Sequence, residues 1–467
     1  MTLDPAQLKA LRAAAGSDHL MTEPATLWSY GMDNSRRHAL PDAVVYATNH
    51  DQVREVVRTC LVHRIPLIPR GRGTGTTGAT VPIHGGVVLS FERMNRILEV
   101  NPDDRLMVVE PGVTNGEVQA AAREHGFFWP PDPTSSPFCS VGGNLAYNSA
   151  GPRAVKYGTV RENVLGLRAV TGRGEELRTG TRTTKGVVGY DLTRLLIGSE
   201  GTLAVITEAT LKLTPLPEAI RTARALYADM DSAARAITRL MAQPVTPCAL
   251  EFIDGAAMDM IRGYSDIDLP RQARAMLMIE VDGPAACLDM AMTAIRQAAK
   301  VDGLLEWREA RDAHEVESLW ATRKALSPAL RKVAPKKINE DVVVPVSRIP
   351  ELIAGLERLS TAHAIPIINF GHAGNGNIHV NLLLDPDAPG ELARAHACLD
   401  EVFTLVLALG GTLSGEHGVG LEKRDFIGRE LGATAIDLMR GIKQVFDPAG
   451  ILNAGKTLPL PQHGSAS

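Results

Sequence analysis

The chain has 467 residues, 45% of them apolar and 22% charged, which is ordinary globular composition and enough length for two or three domains with real cores. A net charge of −4 and a pI near 6.4 supply no basic field, and no Lys/Arg cluster suits a polyanion, so nucleic acid is excluded as a partner. Five cysteines (Cys60, Cys139, Cys248, Cys287, Cys398) include no C-x-x-C pair, which excludes a disulfide framework and an iron–sulfur cluster and fits a reducing compartment. Met1 to Leu11 carries Asp4 and Lys9 and no apolar core of signal-peptide length, and no apolar run reaches about 18 residues. A cytoplasmic protein is expected, with peripheral contact at the inner face of a membrane left open.

In chain order, residues 4–15 read as a short helix, Ala43–Ala47 as a strand, Asp51–His63 as a helix and Ile65–Ile68 as a second strand. That strand runs into Pro69-Arg-Gly-Arg-Gly-Thr-Gly-Thr-Thr-Gly78, the most glycine-dense loop of the chain. Gly73, Gly75 and Gly78 satisfy G-x-G-x-x-G, but Pro82 and Gly85-Gly86 follow before the β-like run Val87–Ser90, so no helix can start there. What remains is a nest of backbone N–H groups able to cradle a pyrophosphate, or else a sharp structural turn. Strands follow at Ile97–Val100 and Leu106–Glu110, then a helix opened by the capping box Thr114–Glu117 and closed at His125-Gly126. The prolines and glycines from Trp129 to Gly151 predict a long irregular binding segment whose hydroxyls and amides suit a ribityl chain, phosphates or a flavin edge. A third loop, Ile197–Thr202, precedes a strand-like run from Leu203 to Leu213, and the domain is expected to pause near Pro215–Pro217.

From residue 218 the pattern becomes alternating strands and helices: Thr222–Leu226, Met230–Ala242, Cys248–Ile253, Asp254–Arg262, Ala275–Val281, Ala285–Lys300, Leu304–Arg308, and a helix Asp312–Leu330 bearing Trp320 and Arg323. Two such halves suggest a ferredoxin-like sheet with helices on one face. The sheet would end in a hairpin, Ile365–Phe370 and Ile378–Leu384, closed by the turn Gly371-His-Ala-Gly-Asn-Gly-Asn377. Its glycines and asparagines permit positive φ, so His372 and His379 can point into one space. Two imidazoles and a nearby carboxylate make an open site for a borderline divalent ion such as zinc, and Ser414-Gly-Glu416-His417-Gly-Val-Gly420 offers the carboxylate in a second glycine-rich loop. Taken singly, each histidine could equally be an ordinary loop residue. The tail is a helix from Ile436 to Phe446 and a polar loop to Lys456, with a frayed end after Leu458.

Five of these segments, in this order, resemble one family. Pro69–Gly78, Val141-Gly-Gly-Asn144 through Gly151, and Gly198-Ser-Glu-Gly201 resemble the FAD-binding domain of the vanillyl-alcohol oxidase (PCMH-type) flavoproteins, while Gly371–His379 and Ser414–Gly420 resemble the cap domain of their D-2-hydroxyacid dehydrogenase branch. The resemblance implies an α+β protein: an N-terminal helical extension (1–37), a PCMH-type FAD-binding domain (38–217), a ferredoxin-like α/β cap or substrate domain with the metal site (218–435), and a C-terminal segment (436–467) that returns to the FAD domain. It places the flavin against Pro69, Arg70, Gly71, Arg72, Gly73, Thr74, Gly75, Thr76, Gly78, Pro133, Thr134, Gly142, Gly143, Asn144, Asn148, Gly151, Gly158, Glu200, Gly201, Ile206 and Asn453, with Lys456 nearby. No histidine occurs in residues 69–78, so FAD is expected to bind noncovalently. His372, His379 and Glu416 match the metal ligands, His417 the base and Arg323 an arginine that grips the substrate carboxylate. Ser327, Lys337 and Asn381 complete the substrate set. Asn339 stands where many relatives carry a lysine, so Lys336 or Lys337 is expected to supply that charge.

The implied reaction is oxidation of a small D-2-hydroxy acid, D-lactate or glycolate, with hydride passing to flavin N5 and electrons onward to a quinone, a cytochrome, an electron-transfer flavoprotein or an iron–sulfur subunit. Alternatives are the branch acting on D-2-hydroxyglutarate, an FAD-binding subunit of a larger glycolate oxidase complex, and a zinc hydrolase built on the His/His/Glu set. A homodimer is compatible with all of them. A nicotinamide enzyme fits least, because no helix follows the first glycine loop.

Overall fold

The computed structural model describes residues 2–262 and 269–460; the frayed ending expected after Leu458 lies, from residue 461 onward, outside the described residues. The chain divides into two compact units. One runs through Ala150, resumes at Gly158–Leu216 and takes up the chain again from Glu416; the other comprises Gly151–Tyr157 and Pro217–Gly415. Residues 416–435, expected in the cap domain, therefore belong to the first unit.

In the first unit, α1 (Pro5–Ala15) is started by Asp4 and Gln7, which cap each other's amides, with proline at the first helical position where no N–H is needed. Leu11 and Ala15 join the same core as Val45 and Val87, so residues 1–37 are not a separate extension. The first sheet holds β1 (Leu20–Met21), β2 (Ala43–Tyr46), β3 (Leu67–Arg70) and β4 (Val87–Ser90) in the order β1-β2-β4-β3, with β2 and β3 both parallel to β4. Helix α2 (His50–His63) makes the crossover from β2 to β3. Strand β3 starts two residues later than expected and extends to Arg70, so the glycine loop leaves directly from its end. No helix follows that loop, as Pro82 and Gly85-Gly86 required.

The second sheet is antiparallel, β5 (Ile97–Asn101), β6 (Leu106–Val109), β7 (Val164–Thr171), β8 (Glu176–Gly180) and β9 (Ala204–Lys212), in the order β5-β6-β9-β7-β8. Helix α3 (Asn115–Glu124) has the expected Thr114–Glu117 capping box. The stretch from Trp129 to Gly151 is not irregular throughout. Val141–Tyr147 forms α4, capped by Ser140, whose hydroxyl accepts from the Gly143 amide, and ended by Asn148 in the left-handed region. Glycine costs a helix about 1 kcal/mol, yet at Gly142 a Cβ would sit 2.7 Å from the Cβ of Pro111. Close packing explains the residue that looked like a helix breaker.

The second unit is a seven-stranded antiparallel sheet. Its elements are β10 (Ala219–Tyr227), α5 (Met230–Ala242), β11 (Ala249–Asp254), α6 (Gly255–Ile261), β12 (Ala275–Gly283), α7 (Leu288–Ala299), β13 (Leu304–Glu309), α8 (Ala313–Val333), β14 (Lys336–Val343), α9 (Ile349–His363), β15 (Ile367–His372), β16 (Asn377–Leu384) and α10 (Glu391–Ala408), with strand order β13-β10-β12-β11-β15-β16-β14. Helices cover both faces rather than one. α6 and α8 pack on the face carrying Leu226, Ile253, Met276 and Phe370. α5, α7, α9 and α10 form the opposite layer, where Tyr227 donates its hydroxyl to Ala299 O at the end of α7. The last helix, α11 (Ala433–Phe446), belongs to the first unit.

Candidate active site

The first unit holds a cavity at the end of β3. Pro69, Arg70, Gly71, Gly142, Gly143, Glu200, Gly201, Ile206 and Asn453 line it, as expected of a flavin site, together with Phe91, Pro111, Tyr147 and Ser199, which the sequence did not single out. The loop behaves as a nest: the amides of Gly71, Arg72, Gly73, Thr74, Gly75 and Thr76 have no hydrogen-bond acceptor among the described residues. Side chains are excluded there by contact. A Cβ at Gly71 would collide with the Ser140 hydroxyl, one at Gly75 with the Tyr147 hydroxyl, and Gly73 has φ +66°. The Tyr147 hydroxyl and Arg70 Nε are buried without a partner among the described residues. Half-buried donors around a glycine-walled cavity are what a dinucleotide pyrophosphate requires, so these residues fit FAD.

Several residues expected on the cofactor also hold the cavity's walls. Arg70 gives Nη1 to Met32 O at 2.6 Å and lies over the Tyr30 ring. Asn144 is buried, with its carboxamide bonded to Cys139 and Asn115. The Asn148 side-chain oxygen Oδ1 accepts from the Arg161 amide and the Thr159 hydroxyl. Pro133 closes a turn onto Ser136, Gly158 packs on Glu162, and Gly151 begins the short excursion into the second unit. Glu200, at φ +52°, accepts the amides of Val419 (2.6 Å) and Gly420 (2.8 Å) and the Thr457 hydroxyl. Burial pushes its carboxyl above the ordinary range. Asn453 donates to Glu200 O and accepts from Lys456, whose Nζ also reaches Ala79 O. The returning tail is thus sewn to two glycine loops by buried polar groups.

The second unit carries a polar stripe across one sheet face. Cross-strand partners share a face, and the register aligns Glu251 with His372, Phe370 with His379, His379 with Asp341, and Asn381 with both Ile368 and Asn339. Hairpin β15–β16 closes as expected, but by a different use of its glycines. Only Gly376 (φ +73°) is left-handed among the turn residues; Gly371 and Gly374 are required because a Cβ would strike Asn377 O and Val155 respectively. The His372 and His379 rings stand edge to face with centroids 5.3 Å apart. Asp341 accepts Ser414 Oγ at 3.1 Å and the Gly415 amide at 2.9 Å, which fixes the loop up to the residue peptide-bonded to Glu416. Among the described residues, the His/Cys/Asp/Glu group able to hold a metal ion is His372, His379 and Glu416. Two imidazoles and a carboxylate fit a borderline divalent cation. His417 follows in the first unit, its carbonyl accepting from the Thr77 hydroxyl.

A residue the sequence reading passed over stands at the centre of this face. Glu251 accepts from His372 Nδ1 at 2.5 Å through one carboxylate oxygen and from Arg323 Nε at 2.7 Å through the other. Burial raises its carboxyl, and the opposing pull of His372 and Arg323 outweighs it and holds the group below the ordinary glutamate value. Arg323, on α8, also lies over the Phe370 ring at 4.8 Å. Its Nη edge can still make a two-point contact with a carboxylate. Lys337 gives Nζ to Ser327 Oγ at 2.7 Å, and Asn381 Nδ2 donates to Ile368 O and His379 O. The available signal for Glu251 was a lone carboxylate in the apolar run Ala249-Leu-Glu-Phe-Ile253.

The model of the FAD binding domain matches residues 41–180, and that of the FAD linked oxidases, C-terminal domain, matches residues 216–457. The chain belongs to the FAD-linked oxidases. As a member of that family it is a flavin-dependent oxidoreductase, and the C-terminal match runs past the second unit into residues 416–457 of the first. It is 39% identical over 90% of its length to the glycolate oxidase subunit GlcD of Bacillus subtilis (89% of that protein), and 32% identical over 97% to a probable mitochondrial D-lactate dehydrogenase of Danio rerio (92%). It is also 32% identical over 97% to a D-2-hydroxyglutarate dehydrogenase of Stutzerimonas stutzeri (99%). Among solved structures it shares its fold with 4-ethylphenol oxidase from Gulosibacter chungangensis, at a TM-score of 0.80 and 19% identity over 98% of both chains. p-Cresol methylhydroxylase likewise aligns at a TM-score of 0.79 over 97% and 96%. These are PCMH-type folds, as the glycine loops implied. Among the described residues no helix is long and apolar enough to cross a membrane.

Proposed function

We propose that this flavoenzyme oxidises a small D-2-hydroxy acid, D-lactate or glycolate, to the 2-oxo acid and hands the electrons to a quinone, a cytochrome or an electron-transfer protein. The observation that carries the reading is the buried polar stripe of the second unit, where His372 and Arg323 share the carboxylate of Glu251 on the face that also presents His379 and Asn381. The names of the relatives, a glycolate oxidase subunit, a D-lactate dehydrogenase and a D-2-hydroxyglutarate dehydrogenase, support the same class of acid. When bound, noncovalent FAD supplies a hydride acceptor, and a divalent ion on His372, His379 and Glu416, zinc being favoured, supplies a Lewis acid that lowers the hydroxyl pKa. Arg323 holds the acid's carboxylate through its Nη edge. His417 takes the hydroxyl proton, a role for which imidazole is suited near neutral pH.

A second reading, D-2-hydroxyglutarate as substrate, is favoured by Lys337 and Ser327. Their side chains are bonded to each other, and Lys337 lies in register with Leu383 on the striped face, where an ammonium can meet a second carboxylate. The word "subunit" in the glycolate oxidase relatives' names supports a partner that carries the electrons onward. Purified protein mixed anaerobically with D-lactate, glycolate and D-2-hydroxyglutarate tests the reading. Bleaching of the flavin band by either of the first two is expected, bleaching by the third alone selects the second reading, and a flavin indifferent to all three contradicts both.

A further inference from the structure

We propose that Glu251 is a positioning residue that fixes His372 for metal binding and Arg323 for substrate binding through one carboxylate; this rests on the metal site proposed above. The geometry is specific. Glu251 sits in the middle of β11, in register with His372 on β15, and is 1% exposed. Its Oε1 lies 2.5 Å from His372 Nδ1 and its Oε2 lies 2.7 Å from Arg323 Nε. A carboxylate at Nδ1 requires that nitrogen to carry the proton, so Nε2 is the nitrogen that offers its lone pair to a metal. The same bond fixes the plane of the ring. On the other side, the guanidinium is held at Nε and stacked on Phe370, which aims its remaining Nη edge. Two functional side chains from different elements, β15 and α8, are thereby tied to one rigid strand.

A purely structural role is a weaker account of this arrangement. A buried Arg–Glu–His cluster is costly to desolvate, and apolar residues of similar volume usually serve a core at least as well. The neighbours along β11 are Leu250 and Phe252, both fully packed, so this strand shows what its core positions otherwise use.

The test uses the full-length, flavin-loaded protein titrated with zinc against a chromophoric chelator. Glu251→Gln is expected to weaken zinc binding by about 10- to 100-fold, with flavin content and melting temperature close to wild type. His372→Ala should lose more, and the double variant Glu251→Gln/His372→Ala should bind zinc no more weakly than His372→Ala alone, because the glutamate acts through the imidazole. Arg323→Lys should leave zinc affinity unchanged while raising KM for the acid that bleaches the flavin, and Glu251→Gln should raise that KM as well. Should Glu251→Gln fail to accumulate, Glu251→Asp, which keeps the charge but withdraws it by one methylene, is expected to show an intermediate loss of zinc. Wild-type zinc affinity in both Glu251 variants, with loss in His372→Ala, overturns the positioning role and leaves the metal site standing. Zinc binding that survives His372→Ala, or is absent from the wild type, overturns the metal site and this inference together.

Discussion

The two units make their sites in opposite ways. In the first, the proposed binding surface is backbone: six consecutive amides from Gly71 to Thr76 have no acceptor among the described residues, while the side chains of Glu200 and Lys456 hold the loops in place. In the second, side chains form the proposed site and the backbone is a plain antiparallel sheet whose register decides which of them meet. The contrast teaches what each site tolerates. A backbone cradle fails when a side chain is added at one of its glycines, and a side-chain site fails when one functional group is taken away.

The sharpest way to break the first half of the comparison is Gly75→Val. The added branch meets the Tyr147 hydroxyl wall, and the protein should purify without its yellow colour, at near-normal yield. Retention of flavin by that variant would show that the loop is not the pyrophosphate cradle. A side-chain group of the first unit, His417, is the proposed base, and His417→Ala should lower turnover by a factor on the order of 10² to 10⁴ while flavin and zinc contents stay unchanged. Near-wild-type turnover would remove His417 as the base.

Glu200→Ala sharpens the distinction, since it touches a cavity-lining residue whose carboxylate works on the protein itself. It leaves the amides of Val419 and Gly420 buried without their acceptor and should cost about 1–3 kcal/mol in denaturant unfolding. Loss of flavin without loss of stability would mean that Glu200 serves the cofactor directly. The smallest effect concerns Lys456, which burial pulls down to about 7 from the ordinary lysine value. Because the folded state binds this proton less tightly than the unfolded chain, the group's contribution to stability falls as pH drops from about 10 toward 7. In flavin-free protein, Lys456→Met should flatten that slope in a melting-temperature profile. An unchanged slope would show that the ammonium is better solvated than its burial implies.

Much of this was legible in the chain, for identifiable reasons. Glycine density after a strand marked the cradle, because only glycine allows the backbone to approach Ser140 and Tyr147 so closely. The two histidines of the hairpin were legible because the period of two places His379 and Asn381 on one face. Other features depend on contacts distant in sequence. Helix α4 was missed because Gly142 and Gly143 look like breakers until Pro111 is seen packed against Gly142. Asn144 and Asn453 were legible as polar residues of the cofactor region, but the bonds of their amides to Asn115 and Glu200 were not. Glu251 was passed over because its partners lie 72 and 121 residues further along the chain and meet it only through helix packing and strand register. The helices on both sheet faces were equally invisible, since amphipathic periodicity shows that a helix has a buried side but not which face of the sheet receives it.

The account's central claim is that oxidation of a 2-hydroxy acid by the flavin needs the metal ion proposed on His372, His379 and Glu416, and metal removal tests it most directly. Chelator-treated protein, still yellow, is mixed anaerobically with the 2-hydroxy acid that bleaches the untreated enzyme. The account predicts that the flavin band persists and that added zinc restores its bleaching. Bleaching at the untreated rate without metal would contradict it.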